Sequence, residues 1–492
     1  MSDRPATRLW LLSFIGFWVL FAGWAFASPY NGPPDEELHA IRAAGVMRGE
    51  LLPPQDPKGG TQLVPKSLDR EWCFPQKVTV PASCVAEPGG DETLARVHTT
   101  AARYNPVYYA VTAWPLRFWP SWPGIVLSRL LNGAAMAALL ACAMVGAVRW
   151  VRNRALVTGV VVAVTPMIAH LGGAINPNGV EIAAGVSLFA ALIALLYEQR
   201  EGINRAAVAL AGVSGAVMVT PRFIGAAWFV LILFVMLVPS SKARLRELAR
   251  SGTVRRWSVV VAVAIVASVA WTLVASTVAP TATDHGMSFM QVLRSAIVDD
   301  MWPNVANQMV GVMGWAETLM PRLIYVAWFM AAGLLLLGGL ALGRRVDRWR
   351  LLALFFGTFT PLLGLELLTA NSVGWFNQGR YFLTGAVGLP MLATYVMARN
   401  RLTGDQIRSI TRMLAVILLP VHLVCLAYSM SRWDSGLVSL NPFNGSWHPP
   451  YGVMLPLALE VLGVVLLYVL FFRTSRVPAK PVVEEEQHLV GV

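Results

Sequence analysis

Charged residues are scarce in this chain: Asp, Glu, Lys and Arg make up only 13% of its 492 residues, whereas 56% are hydrophobic. A soluble domain carries about 25% charged residues, so this composition excludes a water-soluble globule. The apolar runs recur at about 20 residues, the length at which an α-helix crosses about 30 Å of hydrocarbon. They lack the polar–apolar alternation that the strands of a transmembrane barrel show. The sequence therefore predicts an all-α polytopic membrane protein.

Cysteine is also rare, and the four cysteines show no zinc-binding spacing. Cys142 and Cys425 lie in apolar runs and are expected to be packing residues. Cys73 and Cys84 lie in a long polar segment, where an oxidising compartment would allow a disulfide between them. A convincing internal repeat is also missing, which weakens the case for a transporter built from two related halves.

The net charge of +12 raises the possibility of a nucleic-acid partner, but its distribution indicates membrane topology instead. With a cytoplasmic N-terminus, 24 of the 39 Lys and Arg residues fall in the short cytoplasmic segments 1–8, 148–155, 198–206, 239–257, 343–350, 399–412 and 473–480. This asymmetry follows the positive-inside rule. We therefore predict a multi-pass protein of the cell inner (plasma) membrane with both termini in the cytoplasm, surrounded by membrane lipids and binding no nucleic acid.

About twelve transmembrane helices are predicted, and residues 1–472 are expected to form a single transmembrane domain. The spans are 9–27, 124–147, 155–172, 180–197, 206–220, 223–238, 257–277, 321–342, 351–369, 381–398, 412–430 and 452–472. Residues 28–121 form a long first external loop, and residues 278–320 form a second external segment that carries Asp284, Asp299, Asp300 and Glu317. Residues 473–492 are predicted to be a disordered cytoplasmic tail.

An acidic cluster follows the first span directly, in the sequence Pro33-Pro34-Asp35-Glu36-Glu37-Leu38-His39 with Arg42 just beyond. The prolines end one helix and start another, which places the three carboxylates at a helix start, where negative charge is favourable. Plain helix capping at a membrane surface explains this cluster as well as a catalytic role does.

Further polar residues lie at the external mouths of later spans. Asn176 and Asn178 belong to an Asn-Pro-Asn-Gly turn, which turn chemistry alone could explain. Arg380 precedes a late span in Gln378-Gly379-Arg380-Tyr381, and an arginine there needs an anion, a carbonyl or water unless it snorkels to headgroups. The short external loops after residue 170 hold few other cations, namely Arg222, Arg294, Arg322 and Arg432.

External carboxylates combined with external arginines suit sugar transfer from a lipid-phosphate donor. The leaving phosphate needs a cation, and arginine pairs with phosphate oxygens in a planar fork. The acceptor hydroxyl needs a base, which a carboxylate can supply. One carboxylate and one or two cations would therefore suffice for a single inverting displacement.

Four stretches carry a resemblance to a known family. They are Pro33-Pro34-Asp35-Glu36 with His39, Tyr104-Asn105-Pro106 with Tyr108-Tyr109, Asn176-Pro177, and Gly314-Trp315 with Gln378-Gly379-Arg380-Tyr381. An N-terminal span followed by an acidic motif in a long first external loop resembles the GT-C superfamily of membrane glycosyltransferases. The set as a whole resembles, more specifically, an uncharacterised bacterial family of predicted polytopic membrane proteins.

The resemblance implies a GT-C-like fold whose first loop contributes membrane-parallel helices above a cavity. It implies a polyprenyl-phosphate sugar as donor and a cell-envelope glycan, glycolipid or protein as acceptor. Asp35 is then the expected base, with Glu36 next. The donor phosphate is expected at Arg380, Arg322 and Arg222, and the substrates at His39, Arg42, Asn105, Asn176, Asn178, Glu317, Gln378 and Tyr381.

Two questions stay open at this stage. No cofactor is expected, although a divalent cation at Asp35 and Glu36 is possible if a third oxygen ligand is present. The alternative function is a transporter or flippase of lipid-linked glycans, with Arg222, Arg322 and Arg380 as a headgroup path and the in-span Glu366 and Glu460 as coupling groups.

Overall fold

The computed structural model of the chain describes residues 4–56, 59–198, 202–238, 240–275, 286–297 and 301–475. In the first half, the helices and strands are α1 (Arg4–Ala27), α2 (Glu36–Met47), β1 (Gln55–Asp56), β2 (Gly59–Pro65), β3 (Leu94–Thr99), α3 (Pro106–Thr112), α4 (Trp122–Arg149), α5 (Ala155–Ala163), α6 (Pro166–Gly172), α7 (Pro177–Leu196), α8 (Arg205–Val219), α9 (Phe223–Leu237), α10 (Lys242–Arg250) and α11 (Gly252–Val274).

The second half is again almost entirely helical. Its elements are α12 (Phe289–Ile297), α13 (Met301–Gly311), β4 (Val312–Met313), β5 (Thr318–Leu319), α14 (Arg322–Leu342), α15 (Arg345–Val373), α16 (Gly379–Ala386), α17 (Gly388–Asn400), α18 (Gly404–Ser435) and α19 (Met454–Thr474). Asp284, Asp299, Asp300 and the part of the predicted tail beyond residue 475 lie outside the described residues.

The apolar helices confirm a helical membrane protein. In the described part of the chain, nine helices are long and apolar enough to cross a membrane, counting α16 and α17 together. The bent pair α5–α6 and the shorter apolar helices α8 and α9 account for the remaining predicted spans. Each of the twelve predicted segments therefore corresponds to an apolar helix or to the bent pair.

The predicted span 155–172 is not one continuous helix. It is broken between α5 and α6, which meet at an angle of 73°. The break lies at Val164 and Thr165, directly before Pro166. Proline lacks a backbone N–H and disfavours the helical conformation in the residue before it, so the helix ends there and restarts.

Helix α7 lies at the centre of the bundle. All of its residues from Pro177 to Leu196 are buried, and it packs against α4, α8, α16 and α17. A helix that is apolar on every side needs neighbours all round. After Glu181, α7 consists almost entirely of aliphatic and small residues, so it meets that description. Helix α1 packs against α4 and α19.

The first loop contains more than helices. Helices α2 and α3 are present, but β1, β2 and β3 also form an antiparallel sheet with β2 in the middle, which the sequence analysis did not predict. Gly60 of β2 is paired with Thr99 of β3. Helix α2 packs against β2, β3 and α3, so the sheet supports the helix that follows the acidic cluster.

Candidate active site

Asp35 occupies a turn between the two prolines and α2. Its φ is 60° and its ψ is 10°, a left-handed conformation that aspartate tolerates better than most residues. Such a conformation costs roughly 1–2 kcal/mol and is found most often at functional sites. The side chain makes no capping hydrogen bond to α2. Helix capping therefore does not explain Asp35.

The Asp35 carboxylate instead meets Arg380, which lies 345 positions away in the sequence. Arg380 Nη2 donates to Asp35 Oδ2. The Arg380 side chain is 5% exposed and that of Asp35 is 26% exposed, so the pair is sheltered with its carboxylate still accessible. Arg380 Nε is buried and, among the described residues, has no hydrogen-bond acceptor. The guanidinium therefore retains capacity for a further anionic oxygen.

A second ion pair lies close to the first, next to the same Tyr381 ring. Arg222 binds Glu181 of α7 through Nε, at 2.9 Å from Oε1, and through Nη2. The guanidinium carbons of Arg222 and Arg380 lie 5.2 and 5.3 Å from the centre of the Tyr381 ring. Both cations are therefore within cation–π distance of one aromatic ring, and they form a compact positive site with it.

A cavity of about 520 Å³ adjoins Arg222 and Tyr381. Polar residues and aliphatic or aromatic residues both contribute to its wall. Its polar lining includes Arg103, Tyr104, Asn105, Arg222, Asn377 and Tyr381, and its apolar lining includes Phe223, Ile224, Trp271, Leu362, Leu365 and Phe376. Asp35 and Arg380 do not line the cavity themselves. They are connected to it by the contact between the Arg380 guanidinium and the ring of Tyr381, which is a lining residue. The cavity can accommodate a ligand with a charged head and an apolar body.

Glu36, the predicted second catalytic candidate, is completely buried. Its Oε1 accepts from Arg129 Nε at 2.7 Å, and its Oε2 is paired with Nη2 of the same arginine. Arg129 also donates to backbone carbonyls just before the acidic cluster, those of Ala25, Ser28 and Pro29. This geometry makes Glu36 a structural anchor and corrects its assignment as a base.

These contacts also bear on the possible divalent cation. Asp35 and Glu36 are each bound to a different arginine, so the two carboxylates are not arranged as joint ligands. Within the described ranges, no group of three or more His, Cys, Asp or Glu side chains could hold a metal ion.

His39 and Arg42 were predicted to bind substrate, but both support the loop. His39 Nδ1 lies 2.8 Å from the Tyr109 hydroxyl, and burial, followed by the nearby Arg380 and Arg222, lowers the pKa of His39 well below its ordinary value. Arg42 is fully buried and donates to the backbone carbonyl of Tyr104 at 2.8 Å. Both side chains are thus held by contacts within the first loop, next to Tyr104 and Trp271 of the cavity wall.

The predicted asparagines organise the starts of helices. Asn105 caps α3 and lines the cavity. Asn176 caps α7 and donates to the Pro34 carbonyl at 2.9 Å, which fastens the start of α7 to the turn that carries Asp35. Asn178 donates to Asn176 Oδ1 and is buried. Turn chemistry therefore explains Asn176 and Asn178, whereas Asn105 has access to a ligand.

The remaining predicted residues fall into different surroundings. Glu317 binds Arg432, with Oε1 3.1 Å from Nε, so it fastens α18 to the turn before α14. Arg322 is exposed at the start of α14, and in the described part of the chain no ion pair joins it to the Asp35 cluster. Gln378 is half-buried at the N-cap of α16, directly before Gly379 and Arg380. The structure thus groups Asp35, Arg380, Arg222 and Tyr381, and leaves Arg322 apart.

Glu37, which the sequence analysis gave no role, is a buried carboxylate next to the Asp35 turn. It accepts hydrogen bonds from Asn31 Nδ2 at 3.0 Å, from the Arg70 backbone N–H at 2.9 Å and from the Trp72 indole. Burial outweighs these donors and raises the pKa of Glu37 to about 7. Burial likewise raises the pKa of Glu87 to about 7.

These two groups predict a pH-dependent stability. Their folded pKa values exceed the ordinary value of 4.5, so their protonated forms favour the folded state. Their contribution is fully present below about pH 4.5 and is lost as the pH rises through about 7. We expect the thermal unfolding midpoint to fall over this window, and to fall less in the double variant Glu37→Gln/Glu87→Gln. An identical pH slope in the variant and the natural protein would contradict this assignment.

A disulfide stabilises the loop segment that follows β2. Cys73 and Cys84 are joined with a Cα–Cα distance of 6.1 Å. Arg432, near the end of α18, donates to the carbonyls of Phe74, Lys77 and Val80 in the same segment. The segment is thus fixed by a covalent bond and by a buried arginine.

The sequence analysis assigned no site role to three residues that prove important: Arg129, Glu181 and Glu37. Arg129 lies within an apolar run, and an ionisable residue in such a run is a signal for a buried partner. Glu181 comes one turn after the Asn-Pro pair. Their signals were present, but the sequence does not say which charge meets which.

Comparison with known proteins gives one family match and several structural similarities. Two crystal structures of ArnT from Cupriavidus metallidurans, one apo and one bound to undecaprenyl phosphate, match at 13% identity with TM-scores of 0.43 and 0.44, over 96% of this chain and 77% of theirs. The cryo-EM structure of arabinofuranosyltransferase AftD from Mycobacteria matches at 13% identity with a TM-score of 0.41, over 88% of this chain and 27% of its own.

At the level of sequence, no curated protein matches the chain. Residues 17–389 match the family described as Predicted membrane protein (DUF2142). This match covers the second half of α1 and the whole Asp35–Arg380 cluster. The chain therefore belongs to the DUF2142 family of predicted membrane proteins.

Proposed function

We propose that the protein is a membrane glycosyltransferase that moves a sugar from a polyprenyl-phosphate donor to a cell-envelope glycan, glycolipid or protein. The observation that carries this proposal is the meeting of Asp35 with Arg380 from opposite ends of the chain. An accessible carboxylate beside a cation is the minimum that an inverting transfer from a phosphate donor requires. The family resemblance seen in the sequence supports the same reaction.

The surroundings of the pair suit a lipid phosphate. Arg380 Nε is buried and has no acceptor among the residues that the structure describes, and Arg222 adds a second cation near the same tyrosine ring. The adjoining cavity of about 520 Å³ falls in the ordinary range for ligand sites. Its polar wall suits the phosphate and sugar, and its apolar wall suits the first part of a polyprenyl chain.

The proposed reaction is a single displacement. The acceptor hydroxyl oxygen forms a bond to the anomeric carbon of the donor sugar while the bond from that carbon to the phosphate oxygen breaks. The hydroxyl proton passes to the Asp35 carboxylate. The bonding electrons leave with the polyprenyl phosphate, whose added negative charge is stabilised by Arg380, with Arg222 nearby. No acid is needed, because the leaving group departs as a stable anion.

Because Arg380 is paired with Asp35, binding of the donor phosphate is proposed to have an effect besides placing the leaving group. While Arg380 holds Asp35, Oδ2 of the carboxylate is engaged in the ion pair. A phosphate that binds Arg380 competes for the same N–H groups. Donor binding is therefore proposed to release Asp35 towards the acceptor hydroxyl.

The surroundings of Arg222, Arg322 and Glu366 do not favour the flippase alternative. Its cations do not form a path, since Arg222 is paired with Glu181 and Arg322 is exposed. Glu366, one of its coupling groups, accepts from the backbone N–H groups of Phe376 and Asn377 at 2.9 and 2.7 Å. That carboxylate is used to hold the turn before α16.

Donor binding tests the proposal directly. In Arg380→Gln we expect the affinity for undecaprenyl phosphate to fall by about 10- to 100-fold, because a charge-assisted hydrogen bond contributes roughly 1.5–3 kcal/mol. Arg380→Lys keeps the charge and should lose less. The affinity is measured by titrating the lipid into protein in nanodiscs.

Arg117→Gln is the matched control, since Arg117 is exposed in the first loop and should bind the lipid as the natural protein does. All variants must show the natural unfolding midpoint. Unchanged affinity in a folded Arg380→Gln protein would remove Arg380 from the donor site and with it the proposed role of the ion pair.

A further inference from the structure

Two tryptophans lie next to each other above the acidic turn, outside the cavity already described. The ring centres of Trp72 and Trp315 are 4.5 Å apart, and the ring planes are inclined at 59°. Trp72 is 45% exposed, and Trp315 is half-buried. The proposed transfer chemistry assigns neither residue a role.

Both indole N–H groups are bound to the segment that carries Asp35. Trp315 Nε1 donates to the Asn31 carbonyl at 2.9 Å, and Trp72 Nε1 donates to the Glu37 carboxylate. Asn31 and Glu37 lie on either side of Asp35. The Cα atoms of residues two positions apart are at most about 7 Å from each other, so the tryptophan pair is fastened to the same short segment that carries Asp35.

The Trp315 ring is held by an unusual turn. Between β4 and β5, Gly314 and Ala316 have φ values of 65° and 66°, and the Trp315 N–H donates to Glu317 Oε2. Alanine in this conformation is strained, and such strain persists only where the surrounding contacts determine the backbone conformation. The disulfide at Cys73 fixes the residue next to Trp72. The two rings are therefore preorganised.

We propose that Trp72 and Trp315 form a saccharide-binding subsite that holds the glycan of the acceptor. The C–H-rich face of a sugar ring is apolar and carries partial positive charge, which suits the electron-rich face of an indole. The exposed carboxylates of Asp69 and Glu71 lie next to Trp72 in the chain and can accept from sugar hydroxyls. The role of the subsite in transfer rests on the proposed function; the binding of a saccharide does not.

The surroundings favour a saccharide over anchoring in the lipid headgroups. Tryptophans at a membrane interface use their N–H groups in the wet headgroup region, whereas both N–H groups here are bound by the protein itself. Trp72 also follows the charged run Asp69-Arg70-Glu71. Bringing this charged run into the lipid would cost the desolvation of its charges.

Saccharide binding can be measured without any transfer reaction. The probes are methyl glycosides of glucose, galactose, mannose and arabinose, observed by saturation-transfer difference NMR with the full chain in nanodiscs. At least one should bind, and Trp72→Ala should weaken it about tenfold because the ring face is lost. Trp72→Phe keeps a ring face and loses the N–H, so it should retain most of the affinity.

Trp114→Ala is the matched control, because Trp114 is 44% exposed in the same loop and also lies beside another aromatic ring. It should bind the glycosides as the natural protein does. Equal loss in Trp72→Ala and Trp114→Ala would indicate general anchoring at the interface and overturn the proposal. Binding of none of the four probes would overturn it as well.

A transfer assay separates the subsite from a positioning role. If Trp72→Phe lowers kcat as much as Trp72→Ala with KM for the acceptor unchanged, the N–H bond to Glu37 is what matters, and the subsite is wrong. Asp35→Asn should still bind the glycoside. Saccharide binding without any transfer would refute the proposed function alone, whereas transfer with an unchanged KM in Trp72→Ala would refute the subsite alone.

Discussion

Replacing Asp35 with Asn is expected to lower the rate of sugar transfer by about 10²- to 10⁴-fold, the usual contribution of a positioned base. Asparagine has the same shape and tolerates the left-handed conformation that residue 35 adopts, so the turn and the fold should persist. The affinity for undecaprenyl phosphate should stay the same or rise, because Arg380 no longer has a carboxylate as competitor. The measurements are kcat in a reconstituted assay with a matched donor, and lipid titration.

The control is Asp91→Asn, since Asp91 is an exposed carboxylate of the same loop and binds the nearby Thr93 N–H. It should retain natural activity. Full activity of Asp35→Asn would exclude Asp35 as the base. Loss of activity together with loss of the natural unfolding midpoint would show that the variant had damaged the fold instead.

Replacing Arg129 with Gln is expected to lower the free energy of unfolding by about 3–5 kcal/mol, the usual cost of leaving one partner of a buried ion pair alone. Glu36 would then be a completely buried carboxylate without its guanidinium. The carbonyls of Ala25, Ser28 and Pro29 would lose their donor too. The quantity to measure is the unfolding free energy in detergent, by denaturant titration.

The double variant Glu36→Gln/Arg129→Gln should recover part of this loss, because it removes the unpaired charge. Arg117→Gln, at an exposed arginine, should change the unfolding free energy by less than about 0.5 kcal/mol. A cost of less than about 1 kcal/mol for Arg129→Gln would contradict a structural role for the pair.

Much of the bundle could be predicted because the cost of exposing polar backbone to lipid fixes the helices. Hydropathy located all twelve apolar segments. Pro166 indicated that the helix is disturbed near Thr165. A proline within a transmembrane helix is often tolerated, so the sequence did not decide between a kink and a break. The sheet of the first loop was missed because β1 has only two residues and β2 begins with two glycines and ends with a proline.

The site was only partly predictable from the sequence. Asp35 and Arg380 were expected to meet because both are costly charges on the same predicted side. Neighbouring carboxylates in one cluster could not be told apart, since Asp35, Glu36 and Glu37 have nearly the same intrinsic chemistry. Their roles differ because helix geometry directs Glu36 to Arg129, Glu37 to Trp72 and Asp35 to Arg380.

The pairing of Asp35 with Arg380 has a kinetic consequence. In the proposed reaction, an acceptor that arrives first meets a carboxylate whose Oδ2 is still held by Arg380. Productive turnover should therefore follow binding of the donor before the acceptor. The lipid phosphate product of that reaction would occupy the same arginine, so it should act as a competitive inhibitor against the donor.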